Sequence, residues 1–303
     1  MTGDRARYQT PLEDSARWDD LDLRSDDIVI SAPSKSGTTW TQIICALLVF
    51  QIPDLPAPLT TLSPWLDMKI RPLDEVLAQL DKQQHRRFIK THTPLDGLPA
   101  RTGVTYVAVG RDPRDVAVSL HHQHENLDRA MIQRLLGEPA PEQPGTPRAE
   151  RRTEREMFLA WMVNDDSPYE NLDSLRGVAW EQSIAWSRRD DPDVVLLHYA
   201  DLSRDLEGEM RGLAHRLGIT VPEHIWPTLV EAATFEHMRL RADDLVPNER
   251  QPIFKANARF FRSGTSGGWQ AWITAEDAAA YDKRISALVA PDLVHWLHHG
   301  SLG

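Results

Sequence analysis

The chain holds 303 residues, 41% of them hydrophobic, with a formal net charge of −11 and one cysteine, Cys45. The acidic balance excludes a general nucleic-acid binder, which needs a basic face, and a lone cysteine excludes an internal disulfide and a cysteine-cluster metal site. The longest apolar run near the N-terminus, residues 43–50, falls far short of the roughly 20 residues of a membrane span, and the polar residues 1–10 hold no signal-peptide core; a cytoplasmic protein without a membrane span is expected.

In chain order, residues 27–31 form a short β-branched run that predicts a buried strand. A turn follows over 32–37 and a helix over 38–50. Residues 87–90 predict a second strand and 104–109 a third, followed by a helix from near Asp112 that carries Val116, Val118 and Leu120. The Pro- and Gly-rich segment 137–148 reads as a mobile surface loop. Helical patterns cover 154–187; a fourth strand at 194–197 leads into a helix at about 203–217, and helix returns from Thr274 to the end. Strands alternating with helices predict a parallel sheet flanked by helices. With no repeat and no clear linker, residues 1–303 are expected to form one α/β domain with a P-loop-like first turn.

That turn carries the densest chemistry. Lys35, Ser36, Gly37, Thr38 and Thr39 sit between a strand and a helix, with Trp40 just inside the helix. Backbone N–H groups of such a turn and the helix dipole favour an anion; Lys35 adds a full charge, and the hydroxyls add donors. The usual nucleotide loop reads G-x-x-x-x-G-K-[ST]. Here Lys35 precedes Gly37 and no Ser/Thr follows a Gly-Lys pair, so the loop fits phosphate without matching an ATPase. Further on, Arg111 ends a strand, Asp112 and Pro113 suit a helix cap and first turn, and Ser119 lies two turns in, on the face of Asp112 and Asp115. Read alone, this segment is also compatible with a capped surface helix, Trp40 with core packing, and His92 with a structural histidine after a strand.

Taken together, residues 33–40, 88–94, 110–119 and 260–269 resemble, in order, the motifs of the PAPS-dependent sulfotransferases (PAPS is 3′-phosphoadenosine-5′-phosphosulfate). The resemblance spans about residues 27–269 and implies their α/β fold and in-line transfer of a sulfuryl group from PAPS, with PAP (3′-phosphoadenosine-5′-phosphate) as product and no metal. It implies that Lys35 stabilises charge on the transferring group and leaving phosphate, that Trp40 stacks on the adenine, and that Arg111 and Ser119 bind the 3′-phosphate. His92, in Lys90-Thr91-His92-Thr93-Pro94, takes the role of general base, with an expected pKa near neutrality, and Lys90 adds positive charge. Tyr199 would contact the adenine. Thr234 and Phe235 match a segment whose Phe flanks the adenine, although Ala233 replaces its first Thr. Arg262, Ser263 and Gly264 fall in the loop that closes over the 3′-phosphate. Ser263 stands where the family has Lys and Gly268 where it has Asp, so weaker donor binding is expected unless Arg259 compensates.

Around Trp65-Leu66-Asp67 and the first two motifs, the sequence is similar to actinobacterial glycolipid sulfotransferases, which makes a glycolipid sugar hydroxyl the lead acceptor and a phenol or small alcohol the alternative. An ATP-dependent P-loop kinase and a non-catalytic nucleotide-binding protein are the readings from other classes. The vertebrate dimer motif of the family is mostly absent, which leaves the oligomeric state open. His121, His122 and His124, without nearby Cys or a carboxylate pattern of known spacing, predict no metal site and suit an acceptor pocket or solvent.

Overall fold

The computed structural model describes residues 5–137, 152–246, 253–262 and 264–301. The expected mobile loop, from residue 138 onward, and Ser263 lie outside these described residues. Four parallel strands, β1 (Ile28–Ser31), β2 (Phe88–Thr91), β3 (Thr105–Gly110) and β4 (Val194–His198), form one sheet in the order β2-β1-β3-β4. Each starts one residue later than its pattern predicts or runs one residue longer. Asp27 and Arg87, read as strand residues, instead make a buried ion pair at the start of β1 and β2, with Arg87 Nε donating to Asp27 Oδ1 at 2.8 Å.

The helices in chain order are α1 (Thr38–Phe50), α2 (Leu59–Leu62), α3 (Leu73–Asp81), α4 (Pro113–Asn126), α5 (Arg129–Leu135), α6 (Glu154–Val163) and α7 (Leu175–Ser187). After β4 come α8 (Tyr199–Arg204), α9 (Leu206–Arg216), α10 (Trp226–Ala232), α11 (Phe235–Leu240), α12 (Ala242–Leu245), α13 (Ala275–Leu288) and α14 (Pro291–His299). The three later stretches of helical pattern, 154–187, about 203–217 and from Thr274 on, each contain a break between two helices. Asp205, at φ −142° and ψ 76° and so outside the helical region, breaks the 203–217 stretch and caps α9 by accepting from Gly208 N at 2.9 Å. Likewise Ser174 caps α7 after the turn that ends α6, and Pro291 occupies the first turn of α14, where a missing N–H costs nothing.

Alternation along the strands sends Ile28, Ile30, Val107 and Val109 into a core with α1, while Val29, Ile89, Tyr106 and Ala108 pack on the opposite face. Helices therefore cover both faces, as a parallel sheet requires. From β1 the chain winds outward to β2 on one side, and β3 lies on the other. The turns leaving β1 and β3 thus diverge at their C-terminal ends and open a crevice, the place where ligands bind in such sheets. Lys35 follows β1 and Arg111 follows β3.

Candidate active site

The turn after β1 passes through two left-handed residues, Lys35 (φ 67°) and Gly37 (φ 109°), a path that gathers N–H groups into an anion-binding concavity. At Gly37 the backbone is in a region L side chains rarely adopt, and a Cβ would lie 3.2 Å from the Tyr199 ring, so glycine is required twice over. The hydroxyls of Ser36 and Thr38 and the Nε of Arg111 are buried and have no hydrogen-bond partner. Such groups are normally paired, and an anion seated on the turn is the ligand that would pair the donors of Thr38 and Arg111, which line the cavity. Thr38, Thr39 and Trp40 line the cavity above the turn; Ser36, 1% exposed, does not reach its wall.

Arg111 leaves β3 and donates through Nη1 to the carbonyl of Lys35 at 2.9 Å, with its guanidinium 4.1 Å over the Tyr199 ring. It thereby braces the turn while lining the cavity beside Ser119. Trp40 is fixed by its Nε1 donating to Ala233 O at 2.8 Å and by edge contact with Tyr199. Phe235 lines the same space, but Thr234 does not: its hydroxyl donates to Glu231 O and accepts from His237 N as the N-cap of α11. The closing loop is held by Gly267 N, which donates to the Asp115 carboxylate at 2.9–3.0 Å. Its Gly264 lies so close to Phe235 that a Cβ would meet the ring at 2.5 Å. Arg262 and Gly264 line the cavity, whereas Arg259 is exposed and not among the lining residues, so no compensation for Ser263 is built there.

On the other side of the crevice, β2 delivers Lys90 and His92. His92 is 8% exposed, and its Nδ1 donates to the carbonyl of Ala32 at 2.6 Å. A carbonyl only accepts, so the proton sits on Nδ1 and the lone pair on Nε2. Trp65 packs edge-on against the imidazole, with centroids 5.0 Å apart, and Lys90 Nζ stands 3.0 Å from the centre of the same indole. Asp67 ties the segment from behind: its carboxylate accepts from the hydroxyls of Thr91 and Thr93, on either side of His92.

Burial and mutual repulsion weaken these bases. Burial pushes Lys35 down to about 8, with Arg111 and Arg262 adding to the effect. Burial also holds Lys90 well below the ordinary lysine range, against the pull of Glu13 and Asp67. His92 is pushed down to about 3 by burial first and then by Lys90. The neutral-range pKa expected from sequence is therefore not what this site gives the imidazole: the sequence does not reveal that two lysines are buried beside it.

The cavity is a cleft open on one side to solvent, and its lining runs without a break from the turn after β1 past His92 to Phe254. Beyond His92 the walls are apolar, with Leu59, Met68 and Ile70 on one side and Met238, Leu245 and Phe254 on the other; Thr60, Arg71 and Gln123 supply polar positions. These wall residues carry no motif, and only Trp65 and Asp67 among the acceptor-side residues stood in a segment the sequence singled out.

The histidines on α4 are partly brought together. His121, His122 and Glu125 place one ligand atom each within 4.8 Å of one another, and both imidazoles lie 3.8–3.9 Å from the Glu125 carboxylate. His124 is outside this group. Spacings of three and four residues produce such pairs on any helix, and the positive charge of Arg262 acts on His122. Among the described residues, no helix is long and apolar enough to cross a membrane.

Comparison with known proteins identifies the family. The family described as "Sulfotransferase domain" matches residues 25–292. The chain is 45% identical, over 99% of its length and 96% of theirs, to a glycolipid sulfotransferase of Mycobacterium tuberculosis and to one of Mycobacterium bovis. Among solved structures, retinol dehydratase in complex with androsterone and PAP is similar with a TM-score of 0.67 and 22% identity, covering 91% of this chain and 84% of that one. Mouse sulfotransferase SULT7A1 complexed with PAP gives 0.66 and 20%, covering 93% and 90%. These two likenesses speak to the fold; the match along the sequence, from before β1 into α14, shows that the chain belongs to the sulfotransferase family.

Proposed function

We propose that this sulfotransferase uses PAPS as donor and a sugar hydroxyl of a glycolipid as acceptor. The observation that carries the donor side is the convergence of Lys35, Lys90, Arg111 and Arg262 on one cavity of a protein whose net charge is −11. Cations that repel one another are stabilised together by a polyanion, and the two lysines, weakened by burial, gain most from it. The acceptor side is supported by the glycolipid sulfotransferases at 45% identity and by the apolar walls beyond His92, which suit a lipid chain next to a polar head.

In this reading, Arg111 and Ser119 hold the 3′-phosphate, with Arg262 closing over it; bidentate Arg–phosphate bonding favours arginine there. Trp40, Tyr199 and Phe235 enclose the adenine, while Gly37, Thr38 and Thr39 hold the 5′-phosphosulfate with the turn amides. Ser36 and Thr234 act by shaping the turn and capping α11. The acceptor hydroxyl gives its proton to Nε2 of His92 as its oxygen bonds to sulfur. The sulfur–oxygen bond to the 5′-phosphate breaks, and the electron pair leaves with PAP. Lys35 stabilises charge gathering on the leaving oxygen and sulfuryl group, and Lys90 adds to that field. A donor carrying several negative charges also raises the affinity of His92 for a proton, so the weak base of the empty cavity strengthens when the donor is seated.

The test is transfer from labelled PAPS to n-octyl β-D-glucoside in EDTA, read by mass spectrometry. A sulfated glycoside is expected, with no phosphorylation from ATP and Mg²⁺. Sulfation of p-nitrophenol alone would replace the sugar acceptor by a phenol; PAP binding without transfer to either would remove the catalytic assignment.

A further inference from the structure

The segment 65–67 runs beside the end of β2, and Trp65 pairs with Lys90 through an isolated parallel β-bridge. That pairing sets the indole against the strand. Lys90 Nζ stands 3.0 Å from the centre of the indole, and the His92 imidazole lies perpendicular to it, with centroids 5.0 Å apart. Leu66, which is fully buried, and Asp67, bonded to the hydroxyls of Thr91 and Thr93, anchor the segment. Trp65, Lys90 and His92 all line the transfer cavity. A buried tryptophan normally finds a partner for its N–H, yet the Nε1 of Trp65 is buried and has none. The indole is therefore not placed by a hydrogen bond of its own; what its ring fits is the ammonium on its face and the imidazole beside it.

The face of an indole carries the negative part of the ring quadrupole, so it favours an ammonium over a neutral amine. Lys90 lacks strong support of any other kind. Burial pushes it down to about 7, and Lys35 repels it. Of the carboxylates that draw it, Glu13 is itself pushed up to about 8 by burial, and Asp67 is engaged by Thr91 and Thr93. His92, on the same strand end, is pushed down to about 3 and is neutral at pH 7.

We infer that Trp65 is a positioning residue of sulfuryl transfer, whose indole keeps Lys90 charged and in place beside His92. The inference rests on the reading of Lys90 as a cation acting on the transferring group. The chain has six lysines, so ¹³C labelling at lysine Cε gives an NMR spectrum in which Lys90→Met identifies the Lys90 signal. In the donor-free protein, Lys90 should lose its proton about one pH unit lower in Trp65→Leu than in wild type, with Trp65→Phe between them, because a phenyl ring retains part of the attraction. The start of the fall in kcat/KM should move with it. For a midpoint moving from about 7 to about 6, the charged fraction at pH 7 drops from about a half to about a tenth, so kcat/KM falls roughly fivefold there. The pH-dependent part of the loss should close toward pH 5, whereas any loss through His92 is the same at every pH. PAP, which lacks the sulfuryl group, should bind nearly unchanged. Wild type grown on 5-fluorotryptophan keeps the shape of the ring and weakens its face. Its Lys90 midpoint should drop, and that of Trp65→Phe grown the same way should not, which decides the matter if Trp65→Leu fails to fold. A Lys90 midpoint unmoved in Trp65→Leu or in the fluorinated wild type, or a rate loss wholly constant with pH, overturns the inference. If Lys90→Met turns over as fast as wild type, the role of Lys90 in transfer fails separately, and the Lys90 midpoint in the Trp65 variants still decides whether the indole holds the cation.

Discussion

Raising the pH at constant ionic strength should leave kcat/KM flat from about pH 5 to 6 and then lower it, first through about pH 7 as Lys90 loses its proton and then through about pH 8 as Lys35 does, the reverse of the profile expected for a histidine base of ordinary pKa. The sign follows from the groups in the crevice. His92 is pushed down to about 3, so at pH 7 only about one imidazole in 10⁴ is protonated, and raising the pH gains no further base. Lys35 is pushed down to about 8; its cation is the useful form, and it is lost as the pH rises through that value. One required lysine gives a tenfold fall per pH unit above its pKa; Lys90, pushed down to about 7 by burial, begins the fall, and Lys35 steepens it. His92→Ala should lower the whole curve by roughly 10²–10⁴-fold, the usual size of a general-base contribution, without changing its shape. Lys35→Arg should remove the contribution of Lys35 to the alkaline fall, because a guanidinium does not titrate there. In kcat, measured with the anionic donor bound, the fall should move to higher pH. Initial rates with labelled PAPS across a buffer series of fixed ionic strength provide the assay. An acid limb near pH 6.5 that disappears in His92→Ala would refute the argument, because it would place a protonated imidazole in the resting site.

Arg111→Ala should weaken PAP by about 1.5–3 kcal/mol, a lost charged hydrogen bond, while binding of adenosine 5′-phosphosulfate, which lacks the 3′-phosphate, changes less; equal losses in calorimetry would contradict the assignment. Lys90→Met should slow turnover yet raise Tm by roughly 2–5 °C in the absence of donor, since it removes a cation from a buried site; Glu13 is itself held up by burial and is not left as a stranded charge. Gly264→Ala, at φ 66° with a Cβ only 2.5 Å from Phe235, should cost about 1–3 kcal/mol in PAP affinity with little change in Tm, and a loss of stability without a loss of affinity would show that the loop serves the fold alone.

Much of this protein is written locally. A β-branched run followed by a Gly-containing turn and an apolar helix specifies strand, anion-binding turn and helix wherever it occurs, so β1, Lys35, Gly37 and α1 were legible, as were β3, Arg111 and the capped start of α4. Helix interruptions at Asp205 and Ser174 were less so, because a capping residue inside a continuous helical pattern becomes visible only when the chain turns there. Ser36 and Thr234 sit in motifs, yet their hydroxyls are drawn away from the cavity by burial in one case and by a helix cap in the other. The acceptor walls could not be read at all. Met68, Met238 and Phe254 are ordinary core residues by type, and it is the packing of segments far apart in sequence that makes them face one space. The pKa of His92 has the same origin. Its identity as a histidine after a strand is local, but its tautomer is set by Ala32, its orientation by Trp65 and its acidity by burial beside Lys90. The sequence alone singled out Lys35, Lys90, His92, Arg111 and Arg262; only the tertiary structure brought Arg71 to the same space and decided how the charged groups perturb one another, because charge interactions depend on separation and on exclusion of water, neither of which is a property of the linear chain.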